Sequence, residues 1–244
     1  MNKDTTTLKL IAITLMIVDH VGAMFFPLPG GLWLRVVGRL AFPLFAYCVA
    51  VGVKHTRSIW GYGLRLVVLF AVSQTTYMLA LNHGLWTLNI FATLLLGLIM
   101  CAGVRFRQYW LTAIFLVASL FSPADYGFRG ALVILVMYLF QDNPLAFSAA
   151  FSLFCFAWGE SAGVTLNIPW TDVAVRLNWG GTSQPVWRVF GNHVVKLQPL
   201  AILSLPLMLY PKKERARYPL PDKAMYLAYP LHLFVLYVVK TVVK

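Results

Sequence analysis

Charge is scarce in this chain. Asp, Glu, Lys and Arg make up 11% of the 244 residues, and only 8 residues are acidic. A soluble domain carries about 25% charged residues. Apolar residues reach 60%. This balance excludes a water-facing surface over most of the molecule and makes lipid the expected solvent. Cysteine is rare as well. Cys48, Cys101 and Cys155 are odd in number, and each lies in an apolar run. They read as small core residues rather than bridges or metal ligands. Neither Cys-x-x-Cys nor His-Glu-x-x-His spacing occurs, so no metal site is expected. No small-x-small cleavage site follows the first apolar run, and Asp19-His20 interrupts that run. A retained span is expected there rather than a cleaved leader. Internal repeats, low-complexity segments and paired halves are not visible. No basic face is interleaved with aromatic residues, so the net charge of +12 does not point to nucleic acid.

What is present is a succession of apolar runs. They cover residues 8–26, 32–53, 62–81, 88–104, 109–121, 128–140, 144–158, 194–209 and 224–243. At roughly 20 residues per crossing, this predicts an all-α, polytopic membrane bundle of about nine helices forming a single domain over 1–244. Some runs are short for a crossing, which is tolerated where protein surrounds them. Residues 159–196 hold Trp170, Trp179 and Trp187 among Asn, Gly, Thr and Pro. That mixture suits an outer interfacial loop with short helices on the headgroups. Alternate gaps carry Lys54 and Arg57, then Arg105 and Arg107, then Lys212, Lys213, Arg215 and Arg217. The gaps at 27–31 and 82–86 carry neither Lys nor Arg. The positive-inside rule then places the N-terminus in the cytoplasm, and a bacterial inner-membrane protein is expected. The gap at 141–144 is silent on this point.

The few polar groups inside the runs carry the chemistry. Each buried charge costs at least about 2.5–3.5 kcal/mol on insertion scales, so a functional role is the default. Asp19 and His20 lie in the outer half of the first run. Arg35 and Arg39 fall one turn apart on one face of the second. Asn89 opens the fourth, Asp125 and Tyr126 precede the sixth, and His232 sits within the last. Their similar depth predicts a shared wet cavity opening outward. A histidine there can take a proton from a nucleophile. Asp19 either supports His20 or neutralises Arg39 or Arg35. Lys9 precedes His20 by a rise of roughly 16 Å along a helix. A cation at the inner mouth and a histidine deep inside suit one long anionic ligand such as coenzyme A. Pro43, within the second run, predicts a kink beside Arg39.

Several stretches together resemble the TraX family. They are Lys9 with ten intervening residues before His20, Asp19 beside that histidine, and Gly38-Arg39-Leu40-Ala41-Phe42-Pro43-Leu44-Phe45-Ala46. The likeness continues with Asn89-Ile90-Phe91, Asp125-Tyr126-Gly127 followed by Gly130, and Tyr229-x-x-His232. That family is associated with N-acetylation of conjugative pilin. It resembles the wider transmembrane acyltransferases, including the acyltransferase 3 group. The resemblance implies an acetyltransferase that uses cytosolic acetyl-CoA to modify an amine or hydroxyl on the periplasmic side. It implies His20 as catalytic base or acyl relay and Asp19 as its charge partner. Arg39, with Arg35, would bind the acyl-CoA or hold Asp19, and Lys9 would meet phosphate. By their depth in the membrane, rather than by the resemblance, Asn89 and Tyr126 would supply an oxyanion site, with Asp125 and His232 beside the substrate. Pilin or an envelope glycan is the expected acceptor. Two other functions fit the same residues: a transporter or proton-coupled channel using buried Asp, His and Arg, and a non-catalytic partner in pilus or envelope assembly.

Overall fold

The structure is a computed structural model. It describes residues 5–26, 30–84, 86–159, 163–167, 174–178, 187–188, 194–195, 198–210 and 222–242. The helices in chain order are α1 (Thr5–Phe25), α2 (Leu32–Gly38), α3 (Ala41–His55), α4 (Ile59–Leu81) and α5 (Ile90–Arg105). There follow α6 (Tyr109–Leu120), α7 (Gly127–Phe140), α8 (Pro144–Gly159), a 3-10 segment (Gln198–Ser204), α9 (Leu205–Leu209) and α10 (Asp222–Val242). Each apolar run read from the sequence is helical among the described residues, although the eighth becomes so only from Gln198.

Among the described residues three stretches, Thr5–Phe25, Leu32–His55 and Ile59–Leu81, are long and apolar enough to cross a membrane, and the other apolar stretches, Leu227–Val242 of α10 among them, are shorter. The division of labour follows from where side chains point. In α3, 11 of 15 residues are buried, because it packs against α1, α5 and α7. A helix apolar on every side belongs in the centre. In α6 the sole buried residue is Ser119, while Trp110, Ile114 and Val117 face outward. α4 likewise exposes Leu64, Val67, Val68, Val72 and Leu79. Contiguous apolar surface of this kind suits lipid, not water.

Polar contacts tie the helix ends into two opposite layers. At one end Lys54 pairs with Asp142, and Arg105 donates to the carbonyls of Val53 and Thr56. The silent gap at 141–144 is thereby placed beside Lys54. At the other end Leu88 bridges Ala124, and Gln74 donates to the Thr87 carbonyl at 2.7 Å. Helix termini are capped where the sequence allows. Ser58 accepts from the Gly61 amide at 3.0 Å, and Asn82 ends α4 in the left-handed region at φ 55°.

Two expectations are corrected here. The second run is not one helix kinked at Pro43. It breaks at Arg39-Leu40, and Pro43 falls in the first turn of α3. An N–H missing from a first turn is one the helix would not have used. In the 159–196 segment, where short helices were expected, the described backbone forms two antiparallel ladders: β1 (Gly163–Asn167) with β2 (Ala174–Asn178), and β3 (Trp187–Arg188) with β4 (Val194–Val195). Trp170, Trp179 and the Lys212-to-Arg217 cluster lie outside the described residues, and so do the side chains of Arg176, Trp187 and Arg188.

Candidate active site

The break after α2 brings two guanidinium groups onto one carboxylate. Arg35 Nη1 lies 2.8 Å from Asp19 Oδ2. Arg39 Nη2 lies 3.1 and 3.0 Å from Asp19 Oδ1 and Oδ2. Arg35 also donates to the Asp19 carbonyl at 3.2 Å. These side chains are 4–14% exposed, so the cluster is shielded from solvent. Close approach of α1 and α2 makes this possible, and it depends on Gly38. A Cβ there would stand 2.2 Å from both Cβ and Oδ1 of Asp19. Gly38→Ala is therefore expected to pry α2 from α1, at a cost of about 1–3 kcal/mol or more. Thermal unfolding in detergent measures it, with Gly84→Ala as a control because a Cβ at Gly84 meets nothing within 4 Å.

Asp19 is thus fully engaged with arginines, and His20 points elsewhere. Nδ1 of His20 lies 2.7 Å from Nε2 of His232 on α10, 212 residues away. The two rings are parallel to within 2°, with centroids 5.0 Å apart. With two nitrogens only 2.7 Å apart at that centroid separation, the rings meet edge to edge in one plane rather than face to face. His232 in turn donates from Nδ1 to the Ala228 carbonyl at 2.8 Å. Tyr229 presents its ring roughly perpendicular to both imidazoles, at 6.4 Å from His20 and 5.4 Å from His232.

Two cavities meet at this point. One is lined by Asp19, His20, Asp125, Tyr126 and Tyr229, with Gly38, Ala41 and Phe42 behind them. The other is almost wholly apolar and has Lys9, Cys48, Tyr62 and Leu66 in its walls. Met16, Phe45, Ile90 and Tyr229 border both. Asp125 sits in the turn before α7, its amide bonded to the Leu88 carbonyl at 2.9 Å. Burial pushes its carboxyl up to about 6, against the opposing pull of Arg39 and Arg35. Tyr126 lies flat on Phe42, with centroids 3.7 Å apart and planes within 9°. Gly130 permits that stack, since a Cβ there would come within 2.4 Å of Tyr126 and 3.0 Å of Phe42.

The structure therefore gathers His20, Asp19, Asp125, Tyr126 and His232 and sets Lys9 in the adjoining cavity. It separates others. Asn89, read as an oxyanion donor, is the N-cap of α5. Its Oδ1 accepts from the Phe91 amide and its Nδ2 donates to the Phe70 carbonyl, both at 3.0 Å. It is fully buried and lines neither cavity. Arg35 and Arg39 also line neither. Of the two roles read for Arg39, holding Asp19 is the one its geometry serves. Tyr229 was missed as a site residue. Its spacing of three from His232 on one helix face was the available signal.

A family profile described as "TraX protein" matches residues 4–240. The chain is 28% identical over 248 aligned residues to "Probable fimbrial assembly protein FimC, serogroup H1" of Dichelobacter nodosus, covering 94% of this chain and 92% of that one. It is 29% identical over 143 residues to "Protein TraX" of Escherichia coli, covering 54% of each. No solved structure gives a significant match. The profile reaches from the start of α1, through every residue of the paired cavities, into the last turn of α10, and the chain belongs to the TraX protein family.

Proposed function

We propose that this protein is a multi-pass acetyltransferase of the bacterial inner membrane. It takes an acetyl group from cytosolic acetyl-CoA and places it on an amine or hydroxyl presented at the periplasmic face. The observation that carries this reading is the shared wall of Met16, Phe45, Ile90 and Tyr229 between the Lys9 cavity and the His20 cavity. A donor whose phosphates stay near Lys9 extends its thioester along the apolar cavity toward His20. An acceptor approaches from the side of Asp125 and Tyr126. His20 removes a proton from the attacking nitrogen or oxygen as it bonds to the thioester carbon. Tyr126 donates to the oxygen on which charge develops. The positive charge at Lys54, Arg57 and Arg105, set against the uncharged opposite gap, favours the cytoplasmic N-terminus that this direction of transfer needs.

The relative named as a fimbrial assembly protein favours a pilus or fimbrial subunit as acceptor over an envelope glycan. The test supplies acetyl-labelled coenzyme A to the cytoplasmic face of membrane vesicles, with and without the protein. Label appears on an envelope protein or glycan only when the chain is present, and intact mass gives one added acetyl. Identical labelling in both preparations overturns the proposal.

A further inference from the structure

We infer that His232 is a positioning residue that fixes the tautomer of His20, leaving Nε2 of His20 as the bare nitrogen turned to chemistry. The use of that nitrogen rests on the acyl-transfer reading, whereas the tautomer itself rests on geometry alone.

The direction of the hydrogen-bond chain is set from its fixed end. A backbone carbonyl can only accept. Nδ1 of His232 is 2.8 Å from the Ala228 carbonyl, so that nitrogen carries the hydrogen. In a neutral imidazole the second nitrogen is then an acceptor. Nε2 of His232 faces Nδ1 of His20 at 2.7 Å, so His20 must be the donor between them. Nε2 of His20 is left with its lone pair. The in-plane meeting of the rings, within 2° of parallel, points the N–H along the partner's lone pair. A helix carbonyl neither ionises nor rotates, so the signal it sends through His232 does not change with what enters the cavity. A buried carboxylate does this work in many catalytic sites, where it holds the imidazole in the correct tautomer. Here the neighbouring carboxylate, Asp19, is held by Arg35 and Arg39. The orienting task falls to the second histidine.

In the transfer, Nε2 accepts the proton of the attacking amine or hydroxyl while the new bond to the thioester carbon forms. As the carbon–sulfur bond breaks, Nε2 returns that proton to the departing thiolate. His20 is an imidazolium only between these steps, with its Nδ1 hydrogen directed at His232 throughout. Charge and atoms balance with no further reactant.

The test reads the tautomer directly by solid-state nitrogen NMR on ¹⁵N-histidine-labelled full-length protein in lipid bilayers. In the wild type, His20 shows a protonated Nδ1 and a bare Nε2. In His232→Phe the acceptor is gone, and the His20 hydrogen shifts to Nε2, the form preferred by free histidine. In His232→Gln the side-chain carbonyl accepts in place of the ring, and the wild-type signature returns. Acetyl transfer follows the same order, with kcat about 10–100-fold down in His232→Phe, KM for acetyl-CoA unchanged, and most activity recovered in His232→Gln. A wild-type spectrum with the hydrogen on Nε2 of His20, or one unchanged across all three proteins, overturns the inference whatever the activity. Spectra that follow the series without acetyl transfer in any of the proteins support the positioning role and sink the acyltransferase reading instead.

Discussion

Replacement of His20 by Ala is expected to lower acetyl transfer by about 10²–10⁴-fold, the usual worth of a positioned base, or about 3–5 kcal/mol of transition-state stabilisation. The protein should stay folded. His20 contributes one side-chain hydrogen bond, to His232, and its loss leaves Nε2 of that ring without its partner. An unmatched buried acceptor costs about 1–3 kcal/mol, which a bundle with this much buried apolar contact can absorb. Two measurements on one sample separate the effects: label transferred from acetyl-CoA, and the thermal midpoint in detergent. Full transfer with His20→Ala removes the histidine from the reaction. A non-catalytic assembly partner predicts normal pili with this variant. A proton-coupled transporter predicts lost proton flux in a protein that never transfers label.

The sequence made the polar cluster legible because lipid penalises stray charge. Asp19, His20, Arg35 and Arg39 stand out against apolar neighbours, and their expense alone marks them. Convergence of both arginines on Asp19 follows from their spacing of four. Which partner each group chooses was not legible. Adjacent residues on a helix diverge by about 100°, so Asp19 and His20 face different neighbours. The neighbour of His20 lies on the last helix, and nothing local in either segment records a contact spanning 212 positions. Asn89 is positioned by a local rule instead. An Asn just before an apolar run is a common helix N-cap, and its burial reflects that local duty rather than chemistry. The helix break was placed at Pro43 because proline is the visible breaker, yet the chain opens earlier, where Gly38 and two arginines crowd Asp19.

Asp19 supplies the largest expected effect on stability. Asp19→Ala removes the carboxylate that two buried guanidinium groups share, and breaking one side of a buried ion pair costs about 3–5 kcal/mol. Asp19→Asn should fare little better, because it keeps the shape and loses the charge. Arg35→Gln is milder, since Asp19 retains Arg39 at 3.0–3.1 Å. The contrast comes from charge counting. Asp19, Arg35 and Arg39 sum to one net positive charge, and Asp125 in the same cavity brings the group to neutrality. Removing Asp19 leaves two cations and the single carboxylate of Asp125 in this group. Removing Asp19 and both arginines together, as Asp19→Ala with Arg35→Met and Arg39→Leu, should restore most of the stability, since an apolar replacement carries no desolvation cost. Activity should not return with it. The arginines hold the segment that carries Asp19, and through it set the angle at which His20 meets His232. Unfolding in mixed micelles reads the first quantity and label transfer the second. An Asp19→Ala protein as stable as the wild type would mean that the guanidinium groups are solvated by something other than Asp19, and the ion cluster would then not hold α1 to α2.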